Sequence, residues 1–447
     1  MITEINRNNL ATIRNPRFAA YAAMYLDIGD AFLGKVAGTG IQMDTEDRRP
    51  LAKQTVERLK QRGVTFRNDD KSVFLNWLSP ACVACQRGIG SATFFISLQC
   101  NRRCFFCFNP NQEDFAYYSA HQRDCRTELD SISASGQRLD FLGLTGGEPL
   151  LHKAESVAFF AHAREKFPQA HSRLYTSGDL ADEGTLRDLG AAGLQEIRFS
   201  ARVHDGEEAL RSLLATMANA KKYIPAVMVE MPVLPDALAP MQQLLVELEA
   251  LGIQGVNLLE FCYPLRNAAA FRSRDYKVKN PPYRVLYDYW YGGGLPVAGS
   301  EEACLALLEY AMDRQMRLGI HYCSGDNKHT GQIYQQNMAG PESEMHYLSG
   351  RDFFLKTAKV FGDDASRVLK VLRKTGERYY HMDHKRGFLE FPVSRIADLT
   401  DMDMDRDRGV EVGISYSVRE IRDGEQVLRE LKLDLARPGQ FDLSADV

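Results

Sequence analysis

Residues 93–107 read TFFISLQCNRRCFFC. The apolar and aromatic run from Thr93 to Leu98 is a strand pattern, and it leads directly into Cys100, Cys104 and Cys107 in a C-x3-C-x2-C loop. Three thiolates this close can each ligate one iron of a [4Fe-4S] cube, and the missing fourth cysteine leaves one iron open to an incoming ligand. A zinc site or three core cysteines would be the plainer reading. Zinc, however, calls for paired C-x2-C knuckles and a fourth ligand, which this loop lacks.

Outward from the loop, short apolar runs alternate with segments of helical spacing. Strands are predicted at 93–98, 140–144, 173–176, 196–200, 226–233, 256–261 and 319–322, with helices at 155–166, 207–222, 241–251 and 301–317. This is the rhythm of repeated βα units, so the expected fold is α/β, with a partial or complete parallel (β/α) barrel over residues 91–340. Barrel enzymes assemble their active sites at the C-terminal ends of the strands, where the cysteine loop falls. Two flanking modules are expected. Residues 1–90 carry helical patterns, including one through Leu51, Val56 and Leu59, then a strand at 72–75. Residues 341–447 form an α+β domain with a helix near 368–373 and strands near 387–393 and 410–418.

The loop resembles the signature of the radical S-adenosylmethionine (SAM) superfamily, and the resemblance covers about residues 92–325. It implies that SAM chelates the open iron and that an electron from the cluster cleaves it to methionine and a 5′-deoxyadenosyl radical, which abstracts hydrogen from the substrate. Phe106, before the third cysteine, holds the position that packs near the adenine. The second strand ends LTGGEP, and its Gly146, Gly147 and Glu148 resemble the family's GGE motif, with the glycines offering backbone groups and Glu148 orienting the SAM amino group. By the same resemblance Ser177, in YTSG, and Ser200, in RFS, fall where the methionyl carboxylate and the ribose are contacted. Glu230, in VMVEMPVLP, is a further polar strand position.

Six other cysteines remain. Cys82 and Cys85 form a C-x2-C knuckle ahead of the first strand, while Cys262 and Cys323 follow the sixth and seventh, at the rim of the expected barrel. These four suit a second Fe–S cluster, with zinc or unligated thiols as the alternatives. They depart from the many-cysteine C-terminal signature of the SPASM subgroup. Cys304 shares a helix face with Leu307 and Leu308, and Cys125 is spaced with Leu129 and Ile132, which is how core cysteines look. Two polar or aromatic stretches are open to two readings each. Tyr283, Tyr287, Tyr289, Trp290 and Tyr291, with Gly292–Gly294 behind them, form either a lid or a core strand. Residues 321–330 either line a pocket or form a hydrogen-bonded loop. The run DMDMDRDR, with Tyr379, Tyr380, His381 and His384, reads as solvated surface.

The chain has 447 residues, 45% hydrophobic and 26% charged, which excludes a disordered or fibrous protein. A formal charge of −4 and a pI near 6.2 give no global field for nucleic acid, which is therefore an unlikely partner. No apolar run reaches the roughly 20 residues of a membrane span, and the first residues lack the order of a signal peptide, so a cytoplasmic protein with no membrane partner is expected. Nine cysteines, three of them clustered, fit metal binding in a reducing compartment.

The resemblance thus implies a radical SAM oxidoreductase or maturase acting on a peptide or protein side chain. An auxiliary cluster would assist, and a donor such as flavodoxin or ferredoxin would supply electrons. The peptide part is analogy with members that carry extra cysteines and flanking domains. Rivals are a radical SAM enzyme acting on a small metabolite, activation of a partner by making a glycyl radical, and, from another class, a non-catalytic iron–sulfur carrier or scaffold. A cobalamin-dependent methyltransferase fits poorly, because about 90 leading residues are too few for the usual cobalamin domain. Glu148→Gln should raise the SAM dissociation constant roughly 10- to 150-fold, the loss of one charge-assisted hydrogen bond, while the iron count stays normal. Isothermal titration and iron analysis would check both.

Overall fold

The computed structural model describes residues 2–286, 294–340, 343–403 and 409–447. It divides into two compact units, one of Thr39–Pro282 with Tyr291–Gly331, the other of Met1–Gly38, Tyr283–Trp290 and Gln332–Val447. The aromatic stretch read as a lid or a core strand lies outside the described residues from 287 to 293, and the DMDMDRDR run from 404 to 408.

The first unit is built on seven parallel strands in sequence order: β1 (Ser91–Phe95), β2 (Phe141–Thr145), β3 (His171–Thr176), β4 (Glu196–Phe199), β5 (Ala226–Val233), β6 (Gly255–Glu260) and β7 (Gly319–Cys323). Ser72–Leu75 pairs antiparallel with β7, and Thr65–Arg67 pairs with Ser72–Leu75. β1 ends the sheet on the other side without meeting Thr65–Arg67, so the barrel is partial. Both faces of its strands are covered, as a parallel sheet requires. Val227, Val229 and Val233 alternate along β5 with no exposure. On the outside, helix Leu238–Leu251 buries Met241, Leu244, Leu245 and Leu248 completely, each worth about 1.5–3 kcal/mol.

Local chemistry sets the helix ends. Asp182 caps helix Glu183–Ala192 by accepting from the Thr185 amide, and Gly193 ends it at φ +97°, a left-handed turn that glycine adopts without a Cβ clash. Trp77 packs against the starts of β6 and β7. A Cβ on Gly255 or Gly319, which pair across β6 and β7, would stand 2.9 Å from Trp77. From there Ser79 reaches inner-facing residues of β4, donating to Glu196 at 2.7 Å and accepting from Arg198 at 2.9 Å. The short helix Pro80–Ala84, which carries Cys82, therefore packs on the inner surface of the sheet.

The second unit is a seven-stranded antiparallel sheet. Ile2–Thr3 pairs with Glu425–Ala436, which pairs with Val412–Arg422, followed by Leu355–Phe361, Phe388–Phe391 and His381–Asp383, with Tyr347–Leu348 also on Leu355–Phe361. Helix Pro16–Gly38 lays Phe18 on Phe361, rings stacked at 4.9 Å, and helix Asp363–Lys374 buries Val368 and Leu372. This differs from the expected division into 1–90, 91–340 and 341–447. The first 38 residues share a sheet and core with the C-terminal strands, whereas residues 39–90 belong with the barrel. The cause is pairing across more than 400 residues, as between Thr3 and Leu435, which local patterning cannot register. Among the described residues no helix is long and apolar enough to cross a membrane.

Candidate active site

β1 stops at Phe95, earlier than the sequence pattern suggests, because the backbone beyond it is claimed by other partners. The Leu98 amide donates to the Tyr118 carbonyl at 2.9 Å, and the Ile96 carbonyl accepts from Arg123. The turn after β2 takes the rest. Gly147 donates to the Ser97 carbonyl at 3.0 Å and Glu148 to the Gln99 carbonyl at 2.8 Å, which pins the chain one residue ahead of Cys100. Gly146 has φ +112°. A Cβ on Gly147 would stand 1.8 Å from the Gln99 carbonyl oxygen, so only glycine permits this approach.

Glu148 is only 2% exposed. Its carboxylate accepts from the Leu150 amide at 3.1 Å, from the Thr176 hydroxyl at 2.7 Å and from the Ser177 amide at 2.7 Å. The acid of the glycine turn thereby ties the end of β2 to the end of β3. The Ser200 amide donates to the Thr176 carbonyl at 3.0 Å, so β3 and β4 are held at the same level.

Cys100, Cys104 and Cys107 face a cavity of about 720 Å³ lined also by Gln99, Arg103 and Asn109. Burial raises the Cys107 thiol above its ordinary range, and the charges of Cys104 and Cys100 raise it further, so the three groups lie within electrostatic reach of one another. Burial raises Cys100 as well, reinforced by Glu148 and Cys104. A metal bound by these two thiols would have to displace their protons. Among the described residues no three His, Cys, Asp or Glu side chains converge as a single metal ion would require. A cube makes a different demand, with each thiolate on its own iron, and three separated thiols around an open cavity fit it. No fourth cysteine lines that cavity.

Phe106 does not line the cavity. It packs edge-on against His204 and Phe261, with ring centroids 6.1 and 5.7 Å away. Glu148, Ser177 and Ser200 are likewise absent from the lining, although Glu148 lies close enough to Cys100 to raise its thiol.

A charged network holds the loop, and the sequence reading missed it. Arg102 forks onto Asp179 through two nitrogens and reaches Asp205 with a third at 2.9 Å. Asn101 adds a bond to Asp179 at 2.8 Å. Burial would raise the Asp179 carboxyl, but Arg102 outweighs it and holds it below the usual range. Arg202 donates from Nη1 to the Cys104 sulfur at 3.1 Å, with its Nε 3.0 Å from Asp205. The available signal was the set of charged residues directly after strand ends: Asp179 two residues past Ser177, Arg202 two past Ser200.

The other four cysteines lie in the same unit. The Cys82 sulfur accepts from Arg198 Nη2 at 3.5 Å. Burial raises Cys82 to about 12 and Cys323 to about 11, and among the other causes Cys82 feels Cys323 and Cys85, while Cys323 feels Cys85. Cys262, buried and pushed up to about 12, also feels Cys323, and its sulfur donates to the Glu260 carbonyl at 3.3 Å. Burial opposes the charge of Lys328, but Cys262, Cys323, Glu230 and Glu260 outweigh it and hold the ammonium above its ordinary range. Glu230 faces inward, bound by Arg198 and by Asn257 at 2.7 Å. Cys125 and Cys304 are buried. The stretch 321–330 ends β7 and begins helix Gly325–Asn337, with Ser324 capping the Asn327 amide at 3.0 Å.

Residues 95–237 match the Radical SAM superfamily. A curated relative described as a putative glycyl-radical enzyme activating enzyme, from Methanocaldococcus jannaschii, is 27% identical over 259 residues, covering 55% of this chain and 63% of the relative. The chain thus matches less than two thirds of that relative's length. Among solved structures, SuiB of Streptococcus suis bound to precursor peptide SuiA is 12% identical with a TM-score of 0.40, covering 65% of this chain and 57% of SuiB. The radical SAM methyltransferase TsrM of Kitasatospora setae, with cobalamin and a [4Fe-4S] cluster bound, is 17% identical with a TM-score of 0.28, covering 39% of this chain and 37% of TsrM.

Gly147→Ala should displace the cysteine loop, because the atom it meets is backbone and cannot swing away. A destabilisation of about 1–3 kcal/mol is expected, read as a lower Tm with loss of iron on reconstitution; full iron at an unchanged Tm would refute the docking role. Glu148→Gln should lower Tm too, since an amide group turned toward the Ser177 N–H sets donor against donor.

Proposed function

We propose, from the premise that residues 95–237 make this chain a radical SAM enzyme, that it abstracts hydrogen from a polypeptide substrate, with an auxiliary iron–sulfur cluster assisting. The observation that carries the reading is the trio Cys100, Cys104 and Cys107 on one loop at the strand ends, around a cavity of about 720 Å³ with no fourth cysteine. A [4Fe-4S] cluster bound there would supply the electron that splits SAM into methionine and a 5′-deoxyadenosyl radical, drawn from a donor such as flavodoxin or ferredoxin.

The chain's own residues do the holding. Cys100, Cys104 and Cys107 would hold three irons of that cluster and supply no ligand for the fourth. Gly146, Gly147 and Glu148 fix the height of the loop above the barrel, and Arg102 fastens it sideways to Asp179 and Asp205. Phe106 contributes an aromatic surface beside the loop, and Ser177 and Ser200 present polar groups at neighbouring strand ends. The auxiliary site would draw on Cys82, Cys85, Cys262 and Cys323: Cys82 feels the charge of Cys323 and Cys85, and Cys262 and Cys323 both act on the ammonium of Lys328.

The polypeptide substrate rests on the relative named for activating a glycyl-radical enzyme, and it admits a specific second reading, removal of hydrogen from a backbone glycine of a partner protein. A small metabolite is the alternative substrate class.

Reduced protein should convert SAM to 5′-deoxyadenosine and methionine, and Cys104→Ala should abolish this with the fold intact by circular dichroism. Formation of S-adenosylhomocysteine instead would point to polar methyl transfer. Reconstituted protein should contain more than four irons per chain, and the triple variant of Cys100, Cys104 and Cys107 should keep the remainder; a triple variant without iron would eliminate the auxiliary cluster.

A further inference from the structure

We propose that Arg202 is a positioning residue that sets the reduction potential of the cluster on Cys100, Cys104 and Cys107, by donating an N–H···S hydrogen bond to Cys104. This rests on the ligation proposed above.

Three observations support it. The first is distance: Arg202 Nη1 stands 3.1 Å from the Cys104 sulfur, within the limits of a charge-assisted hydrogen bond to sulfur. The second is burial. Arg202 is 9% exposed, so water screens its charge little. The third is electrostatic placement: Arg202 Nε lies 3.0 Å from an Asp205 oxygen as an ion pair without hydrogen-bond geometry, and the same oxygen accepts from Arg102 at 2.9 Å. Arg102 is itself anchored on Asp179, so the donor is held by the same network that holds the loop.

The physical consequence has a definite sign. Reduction adds one electron, taken from an external one-electron donor, to a cluster whose bonds all remain in place. The added charge spreads over the cluster and its thiolate sulfurs, and hydrogen bonds and net charge around those sulfurs are among the factors that set such potentials. A buried cation donating to one of them stabilises the reduced state more than the oxidised one and raises the potential. Asp205, as the counter-charge, moderates the effect. β4 and the loop after it supply a second pairing of this kind, since Arg198 reaches Cys82, but there Glu196 and Glu230 both bind the guanidinium. Arg202 is the less compensated of the two.

The test is an EPR-monitored redox titration of anaerobically reconstituted protein without SAM, using dithionite as reductant, following the signal that the triple cysteine variant lacks. Arg202→Gln should keep its iron and lower the potential, so that the reduced-to-oxidised ratio at a fixed poise falls about tenfold, or ~59 mV for a one-electron couple. Arg202→Lys should recover part of the shift. If Arg202→Gln loses its cluster, Asp205→Asn decides, because it keeps the arginine and removes the counter-charge: a raised potential supports the proposal, an unchanged or lowered one overturns it. Full iron with an unchanged potential in Arg202→Gln would overturn it, and SAM binding weakened in a separate isothermal titration would then assign the arginine to the cosubstrate. If the triple variant lacks no signal at all, the ligation reading falls, whatever Arg202 does.

Discussion

The site depends on how closely two stretches of backbone approach each other, the peptide of Gln99 and the glycine turn after β2. A side chain at Gly147 would occupy the space of the Gln99 carbonyl. Because none is present, the Gly147 and Glu148 amides bond the Ser97 and Gln99 carbonyls, and the three-cysteine loop leaves the barrel at a fixed height and angle. Glu148 extends that constraint sideways: its buried carboxylate gathers the ends of β2 and β3, so the first three strands meet the loop as one edge. This contact does much of the holding of the loop.

A second layer of order is electrostatic. The loop carries Arg102, the neighbouring strand ends carry Asp179 and Asp205, and Arg202 completes a chain of charges that ends on a sulfur. Such pairs are worth little on an open surface; here Asp179 and Asp205 are exposed and only Arg202 is buried, but each carboxylate or guanidinium meets more than one partner. Charge here selects a geometry more than it adds stability. The barrel interior repeats the theme with Arg198 between Glu196 and Glu230, next to Cys82.

Much of this was legible in the sequence, for physical reasons. The strand 226–233 was read to the residue because its alternating valines are buried on one face and its length is set by a turn at each end. The grouping of Cys100, Cys104 and Cys107 was legible because their spacing is local, and all three line one cavity. Glu148 was recognised as important, but the three bonds that occupy it were not visible, since Thr176 and Ser177 lie on another strand. Arg102 and Arg202 escaped for the same reason: a charge after a strand looks like solvated surface until its partner is known. The clearest miss was the division of the chain. Ile2 and Thr3 find their partners at Ala436 and Leu435, and no window of residues contains both.

That last pairing bears on how the molecule is made. The barrel unit runs nearly uninterrupted from Thr39 to Gly331, whereas the antiparallel sheet is assembled from both ends of the chain. On a ribosome adding about 5–20 residues per second, helix Pro16–Gly38 emerges before the barrel and waits tens of seconds for the strands that will cover Phe18. During that interval the three-cysteine loop has already been synthesised and its barrel can close. Folding order therefore runs opposite to chain order here: helix Pro16–Gly38 is among the last elements to find its partners, and the barrel unit can mature while the strands of its companion are still being translated.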